Sequence, residues 1–267
     1  MVKGLCFEDT GLDGEVHFLK SMDPYIARVL CFPRDQCSDL HVKTSTLIND
    51  GFVYLLETGV NVHGLRLLGR GYTAVVTIAY HSKLGLGSLK LLRVDSRRSS
   101  LIREAEFMKQ AEPTGLPPRV YLYRDSYVFY ELLPPHECRS FTIVLNELVS
   151  SGKVNELKEL LLSTLKSLHH LDCLGIDHSE INRPGGHVFY CNGLIKVIDW
   201  ESSRLSRKPV NLTSFISFLL YRYKYASKLR ELLKFDLDKV IKALRRYKTS
   251  YSLDSFNEII ETMFSRL

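Results

Sequence analysis

No run of apolar residues in the sequence approaches the ~20 that a helix needs to cross a bilayer, which sets aside a helical integral membrane protein. The first ten residues, Met-Val-Lys-Gly-Leu-Cys-Phe-Glu-Asp-Thr, lack the extended apolar core of a secretory signal, so a cytoplasmic location is the expectation. The six cysteines (Cys6, Cys31, Cys37, Cys138, Cys173 and Cys191) include no Cys-x-x-Cys pair, which argues against a zinc site. In the cytosol they are expected to be buried thiols, with a Cys31–Cys37 disulfide the alternative for a hyperthermophile protein. The Gly-Lys-Ser/Thr ending of a phosphate-binding P-loop is missing, as are internal repeats and low-complexity segments.

What is present is an ordinary globular composition, 45% hydrophobic and 25% charged, over 267 residues, enough for one large domain or two small lobes. The net charge of +6 is unevenly placed. Residues 202–267 hold 14 Lys/Arg against 6 Asp/Glu, whereas the rest of the chain holds 22 against 24. Such a basic end suits RNA, ribonucleoprotein or an acidic protein.

Residues 1–64 read as a helical N-terminal extension. Val16, Leu19, Met22, Ile26 and Leu30 recur at helical spacing, interrupted by Pro24. Leu47, Ile48, Phe52, Leu55 and Leu56 mark a second helix over 44–59. From Leu65 the character changes to β. Two strands flank Gly69-Arg-Gly71, a glycine turn follows at 85–87, and a third strand covers 88–94. Lys90 sits inside this apolar strand, where it must snorkel, pair or bind an anion; Leu89 and Leu91 take the opposite face. A helix over 99–111 presents Leu101, Glu104, Ala105 and Met108 on one face, and an inward Glu104 would complement Lys90. Strands 119–123 and 127–132 end this region, and Leu133-Pro-Pro-His-Glu-Cys breaks regular structure as a linker. Beyond it, Leu157, Leu160, Leu161, Leu165, Leu168 and Leu171 form the stripe of a long helix ending near Gly175.

The densest chemistry lies in residues 175–203, where Asp177, His178, Glu180, Asn182, His187 and Asp199 fall within a short span. Val188–Cys191 and Leu194–Ile198 flank Asn192-Gly193, the strongest short-range hairpin signal, and this hairpin would return Asp199 to the side of the polar loop. That layout suits a proton acceptor and oxygen ligands for a hard cation. Helical segments near 212–225, 227–248 and 253–267 complete the chain.

Taken in order, Gly69-Arg-Gly71-Tyr-Thr-Ala74-Val-Val76, Ser88-Leu-Lys90, Arg103-Glu104-Ala105, His178-Ser-Glu180 and Ile198-Asp199-Trp-Glu201 resemble the protein-kinase signatures: glycine loop, strand lysine, helix glutamate, catalytic loop and metal-binding Asp-Phe-Gly. More narrowly, Leu89-Lys-Leu-Leu-Arg-Val-Asp-Ser-Arg-Arg and Asp177-His-Ser-Glu-Ile-Asn-Arg-Pro are similar to small atypical kinases, the RIO-type group and a set of archaeal predicted serine/threonine kinases. The resemblance implies an α+β bilobal fold. Its N-terminal lobe (65–132) would hold a five-stranded antiparallel sheet with one helix, and its C-terminal lobe (133–267) would be mostly helical.

The resemblance also implies ATP-dependent phosphoryl transfer to a protein Ser/Thr hydroxyl, with ATP and Mg2+ or Mn2+ as cofactors. Backbone amides of Gly69, Gly71, Tyr72 and Thr73 would cover the phosphates, and Val76 would line the same site. Lys90, held by Glu104, would bind phosphate oxygens, and Glu131 and Leu132 would meet adenine. Asp199 would hold the metal with Asn182 or His187. Glu180 would serve as base, with Asp177 the fallback. The sequence departs from the family at four places: Glu180 replaces the catalytic aspartate, Gly185 stands where the metal-binding Asn is expected, Ala74 replaces the third glycine, and Glu201 replaces the glycine after Asp-Phe. The Ala-Pro-Glu motif that closes an activation segment is missing. Two further readings therefore stand beside the kinase: a pseudokinase acting as a nucleotide-dependent binding module, and a small-molecule phosphotransferase.

Overall fold

The computed structural model describes residues 13–21 and 23–264; Cys6, Met22 and the end of the last expected helix, 265–267, lie outside them. In chain order the elements are β1 (Glu15–Phe18), α1 (Pro24–Leu30), α2 (Leu40–Asn49), β2 (Phe52–Glu57), β3 (Val60–Val62), β4 (Leu65–Leu67), β5 (Gly69–Arg70), β6 (Ala74–His81), β7 (Gly85–Leu92), α3 (Ile102–Ala111), β8 (Val120–Arg124) and β9 (Tyr127–Tyr130). There follow β10 (Cys138–Ser140), α4 (Phe141–Ser151), α5 (Val154–Cys173), β11 (Ile176–Asp177), α6 (Pro184–His187), β12 (Val188–Cys191), β13 (Leu194–Val197), β14 (Arg204–Leu205), α7 (Asn211–Ser217), α8 (Ala226–Leu233), α9 (Leu237–Ser250) and α10 (Leu253–Phe264). The fold is α+β. Chain contacts divide it into two compact units, one of residues 1–106 and 118–136, the other of 107–117 and 137–267.

The first unit is built on a seven-stranded antiparallel sheet of order β1-β2-β6-β7-β9-β8, with β5 also paired to β6. This corrects two expectations. The described residues up to 64 include α1 and α2 but are not a separate helical extension, because β1 and β2 belong to the sheet, which therefore has seven strands rather than five. The helix expected over 44–59 stops at Asn49, and Phe52–Glu57 is a strand. Asn49-Asp50-Gly51 is a turn signal, and β2 lies between β1 and β6 with Phe52, Tyr54, Leu55 and Leu56 all buried, so its apolar residues do not alternate. Val16 likewise lies in β1, and the Pro24 that interrupts the helical pattern opens α1, where the Asp23 carboxylate caps the Ile26 amide.

One face of the sheet is covered by α1 and α2: Ile26, Val29, Leu30 and Leu47 pack with Leu55, Val75, Ala79, Leu89, Leu91 and Phe129. The turn expected at 85–87 falls instead at 82–84, and Gly85 and Gly87 are in β7. Gly87 is there for space: a Cβ would meet the Phe129 ring at 2.5 Å and the Tyr130 carbonyl at 2.8 Å.

In the second unit the predicted leucine stripe of α5 is buried throughout, from Leu157 to Leu171, and packs against α4, α7, α8 and α10. The helices after Asn211 are more broken than their apolar pattern suggests. A π-helical turn, Phe218–Arg222, follows α7, and α8 and α9 are separate helices around Lys234–Asp236. The basic residues Lys239, Lys242, Arg245 and Lys248 lie on the exposed side of α9. No helix among the described residues is long and apolar enough to cross a membrane.

The cysteines are not the expected set of thiols. Cys31–Cys37 is a disulfide, and so is Cys138–Cys191, whose residues face each other in the β10–β12 ladder; among the described residues only Cys173 is free, and it is exposed.

Replacing Gly87 by Ala should destabilise the protein by about 1–3 kcal/mol, because the Phe129 ring and the strand backbone leave no room for a methyl group. Urea unfolding measures this. An unchanged midpoint would show that the ring can move aside at no cost.

Candidate functional site

In the first unit, antiparallel register sets Val76, Lys90 and Val128 side by side on one face of the sheet, opposite the face that Leu89 and Leu91 give to the core. Lys90 is buried. Its ammonium donates to the Glu104 carboxylate of α3 at 2.7 Å, and Glu104 is buried as well. The sequence expectation for this pair is met in contact and in burial.

The glycine turn is β5, a tip at 71–73, and β6. Gly69 pairs with Val76, and the Gly71 amide donates to the Ala74 carbonyl at 2.8 Å. That amide is committed to the turn and is not available to phosphate. The Tyr72 and Thr73 amides remain at the tip, where the Tyr72 side chain is 97% exposed and Thr73 is buried. Arg93 anchors the tip, since its amide donates to the Thr73 carbonyl and its guanidinium to the Gly71 carbonyl. The Glu131 amide is likewise committed, to the Arg119 carbonyl, while the Glu131 carboxylate accepts from the Arg119 amide. Leu132, the next residue, donates and accepts no backbone hydrogen bond.

In the second unit the polar loop is suspended from the helix scaffold. Asp172, buried near the end of α5, accepts from the Asn211 and Leu212 amides, from Asn211 Nδ2 and from the Tyr247 hydroxyl. Asn211 in turn donates to the Ile176 carbonyl and accepts from the His178 amide. Burial pushes the Asp172 carboxyl up to about 6, against the pull of these donors. His178, fully buried, packs edge-on against Trp200, whose indole donates to the Val197 carbonyl.

Asp177 is also buried, and both its carboxylate oxygens are engaged. One accepts from the Ser179 amide at 3.0 Å; the other meets Arg204, its β14 partner in register, at 2.9 Å. Asp177 is therefore a staple of the loop, and its geometry does not support the fallback role of base. Glu180 is partly exposed, with the Arg183 guanidinium 3.8 Å away. The hairpin forms as read: β12 and β13 pair around Asn192 and Gly193, both at positive φ. It returns Asp199 beside His187, whose carbonyl accepts from the Ile198 amide. The Asp199 carboxylate lies 3.9 Å from His187 Nδ1, a buried nitrogen without a hydrogen-bond partner. Asp199 holds φ +65°, ψ 64°, uncommon for a residue other than glycine and frequent at functional positions. Asn182 is half-buried, and its side chain forms no hydrogen bond. Of the expected metal ligands, Asp199 and His187 lie together, as one carboxylate and one orphaned imidazole nitrogen.

Asp172, Asn211 and Arg204 were not singled out in the sequence. Their signals are weak: an Asp inside a leucine stripe, an Asn opening a helix, and an Arg in a basic stretch.

Two tests follow from these networks. Lys90→Met should cost about 3–5 kcal/mol because it strips a buried carboxylate of its ammonium, and Lys90→Met combined with Glu104→Leu should recover part of that loss. A double-mutant cycle in urea measures the coupling, and additive effects would dissolve the pair. For Asp172, whose carboxyl is raised, the folded state holds more protons than the unfolded state between the ordinary carboxylate range and pH 6. Its contribution to stability is present below that ordinary range and is lost as pH rises to about 6. Stability profiles of the wild type and Asp172→Asn between pH 4 and 7 should differ by this downward slope, and parallel profiles would refute it.

No protein-family model and no curated protein matches this sequence, so the chemistry of the site rests on its own geometry.

Proposed function

We propose that the protein has a protein-kinase-like fold and transfers the γ-phosphoryl group of ATP to a serine or threonine hydroxyl of a protein. The observation that carries this reading is the buried Lys90–Glu104 pair, on an inner strand of an antiparallel sheet and on the helix that follows it. Glu104 compensates the buried charge and fixes the ammonium in place, and phosphate oxygens are the ligand that a fixed ammonium suits. The Tyr72 and Thr73 amides would meet the phosphates, Val76 would line the site, and Leu132 would offer its free backbone groups to adenine.

Asp199 and Glu180 would supply the carboxylates. Asp199 would hold a divalent ion with His187 Nδ1, the remaining positions being filled by phosphate oxygens and water, as is usual for ions of this kind. A mixed oxygen and nitrogen set favours Mn2+ over Mg2+. The ion would neutralise charge on the transferring phosphoryl group. Glu180 would accept the proton of the attacking hydroxyl as the bond from the γ-phosphorus to the β,γ-bridging oxygen breaks and ADP leaves. Its carboxylate is one methylene further from the backbone than that of aspartate, and a misplaced acceptor slows transfer.

A second reading, nucleotide-dependent binding without transfer, is favoured by Gly185, which offers no side-chain ligand where the family carries one, and by the commitment of the Gly71 and Glu131 amides. Incubation with γ-labelled ATP separates the two. Wild-type protein should label itself or an added protein in Mn2+ and more slowly in Mg2+. Asp199→Ala should lower that rate by at least about 100-fold, and Asp199→Asn, which tolerates the positive φ, should lower it comparably with the urea midpoint unchanged. Thermal stabilisation by ATP with no label transferred would establish the binding module. Labelling undiminished in Asp199→Ala would remove the assignment of this residue.

A further inference from the structure

The first unit contains a cavity that the proposed reaction does not use. Its volume is about 530 Å³, within the range of small-molecule sites, and its walls come from the loop before α2, the end of β7 with the segment leading to α3, and the β8–β9 turn. Four cations line it, Arg34, Lys43, Arg93 and Arg98, against two carboxylates, Asp39 and Asp125.

These charges are not equivalent. Lys43 is paired with Asp39 at 3.1 Å and donates to the Leu30 carbonyl. Arg93 is clamped by both oxygens of Asp95 and lies over the Phe32 ring. The Arg34 and Arg98 guanidiniums form no hydrogen bond or ion pair. Both are carried on constrained backbone: Arg34 lies inside the loop closed by the Cys31–Cys37 disulfide, and the Arg98 amide donates to Ser96 Oγ. Two helices begin at the cavity wall, α2 just after Asp39 and α3 three residues after Ser99, and each adds positive potential from its dipole. The lining hydroxyls of Ser38, Ser99 and Ser126 can donate to an oxyanion.

We propose that this cavity binds a small hydroxylated phosphate monoester, such as a sugar phosphate, with Arg34 and Arg98 holding the phosphate dianion. Neither guanidinium is held by a hydrogen bond, although Arg34, after Arg93, also helps to lower the Asp95 carboxyl, and together Arg34 and Arg98 match the charge of a dianion. Asp125, the remaining carboxylate without a cation, accepts from the ligand's hydroxyls, which a bare phosphate does not possess. The site is separate from that of ATP, because none of the residues given to the nucleotide lines it, and Arg93, which holds the carbonyls of Gly71 and Thr73, touches both.

The test is calorimetric titration of the full chain with glucose 6-phosphate and with inorganic phosphate, at constant ionic strength, with and without saturating ATP. Glucose 6-phosphate should bind with one-to-one stoichiometry, more tightly than inorganic phosphate, and should not be displaced by ATP. The double variant Arg34→Ala/Arg98→Ala should weaken it by at least about tenfold. Both arginines are exposed, so the urea midpoint of the variant without ligand should equal that of the wild type. Equal affinity in the double variant, displacement by ATP, or no preference over inorganic phosphate would overturn the proposal. Since the titration needs no turnover, it stands or falls separately from the kinase reading.

Discussion

The Lys90–Glu104 ion pair is the constraint around which the first unit is arranged. Desolvating an ammonium and a carboxylate costs several kcal/mol each, and mutual attraction offsets this only when the geometry is held closely. Here it is held from both sides. Lys90 is fixed in an inner strand by ladders to β6 and β9, and Glu104 lies in the first turn of α3. A core built for stability alone would place leucine at both positions. The strand already does so on its other face, where Leu89 and Leu91 are buried against α1 and α2. The same strand thus separates two tasks by its two-residue period: packing on one face, a fixed charge on the other.

The second unit solves a related problem with a hydrogen-bonded node rather than an ion pair. Asp172 receives two backbone amides, an amide side chain and a phenol, and through Asn211 it fixes the backbone on both sides of Asp177. A loop that carries polar groups in unusual conformations needs such support. Ser179 and Asp199 are both at positive φ, a state that persists only where the surroundings impose it. Arg204 and Trp200 complete the support, the first by neutralising Asp177 and the second by bridging past Asp199 to the Val197 carbonyl.

What could be read from the sequence was local or periodic. Asn192-Gly193 between two β-prone runs specified its hairpin to within a residue, the α5 stripe is buried as spaced, and alternation placed Lys90 opposite Leu89 and Leu91. The failures share a cause. β2 is flanked on both edges and buried on both faces, so its apolar run carries neither period, and its partners β1 and β6 lie at opposite sequence distances from it. The Cys138–Cys191 bridge joins residues 53 apart in sequence, and no local spacing signals it. The node residues Asp172 and Asn211 owe their roles to contacts spanning tens of residues, and each looks ordinary within its own segment.

The departures at Glu180 and Gly185 are best weighed against this support rather than against a motif. A buried ion pair and an Asp199 held at positive φ each cost free energy, and neither serves packing. Replacing Lys90 and Glu104 together by apolar residues, and Asp199 by glycine, would relieve those costs, whereas replacing Lys90 alone would strand the buried Glu104 carboxylate. Under the proposed reading these features serve nucleotide binding first and transfer second. Transfer depends on the smaller matter of whether Glu180, with Arg183 3.8 Å from its carboxylate, can reach the proton it must take.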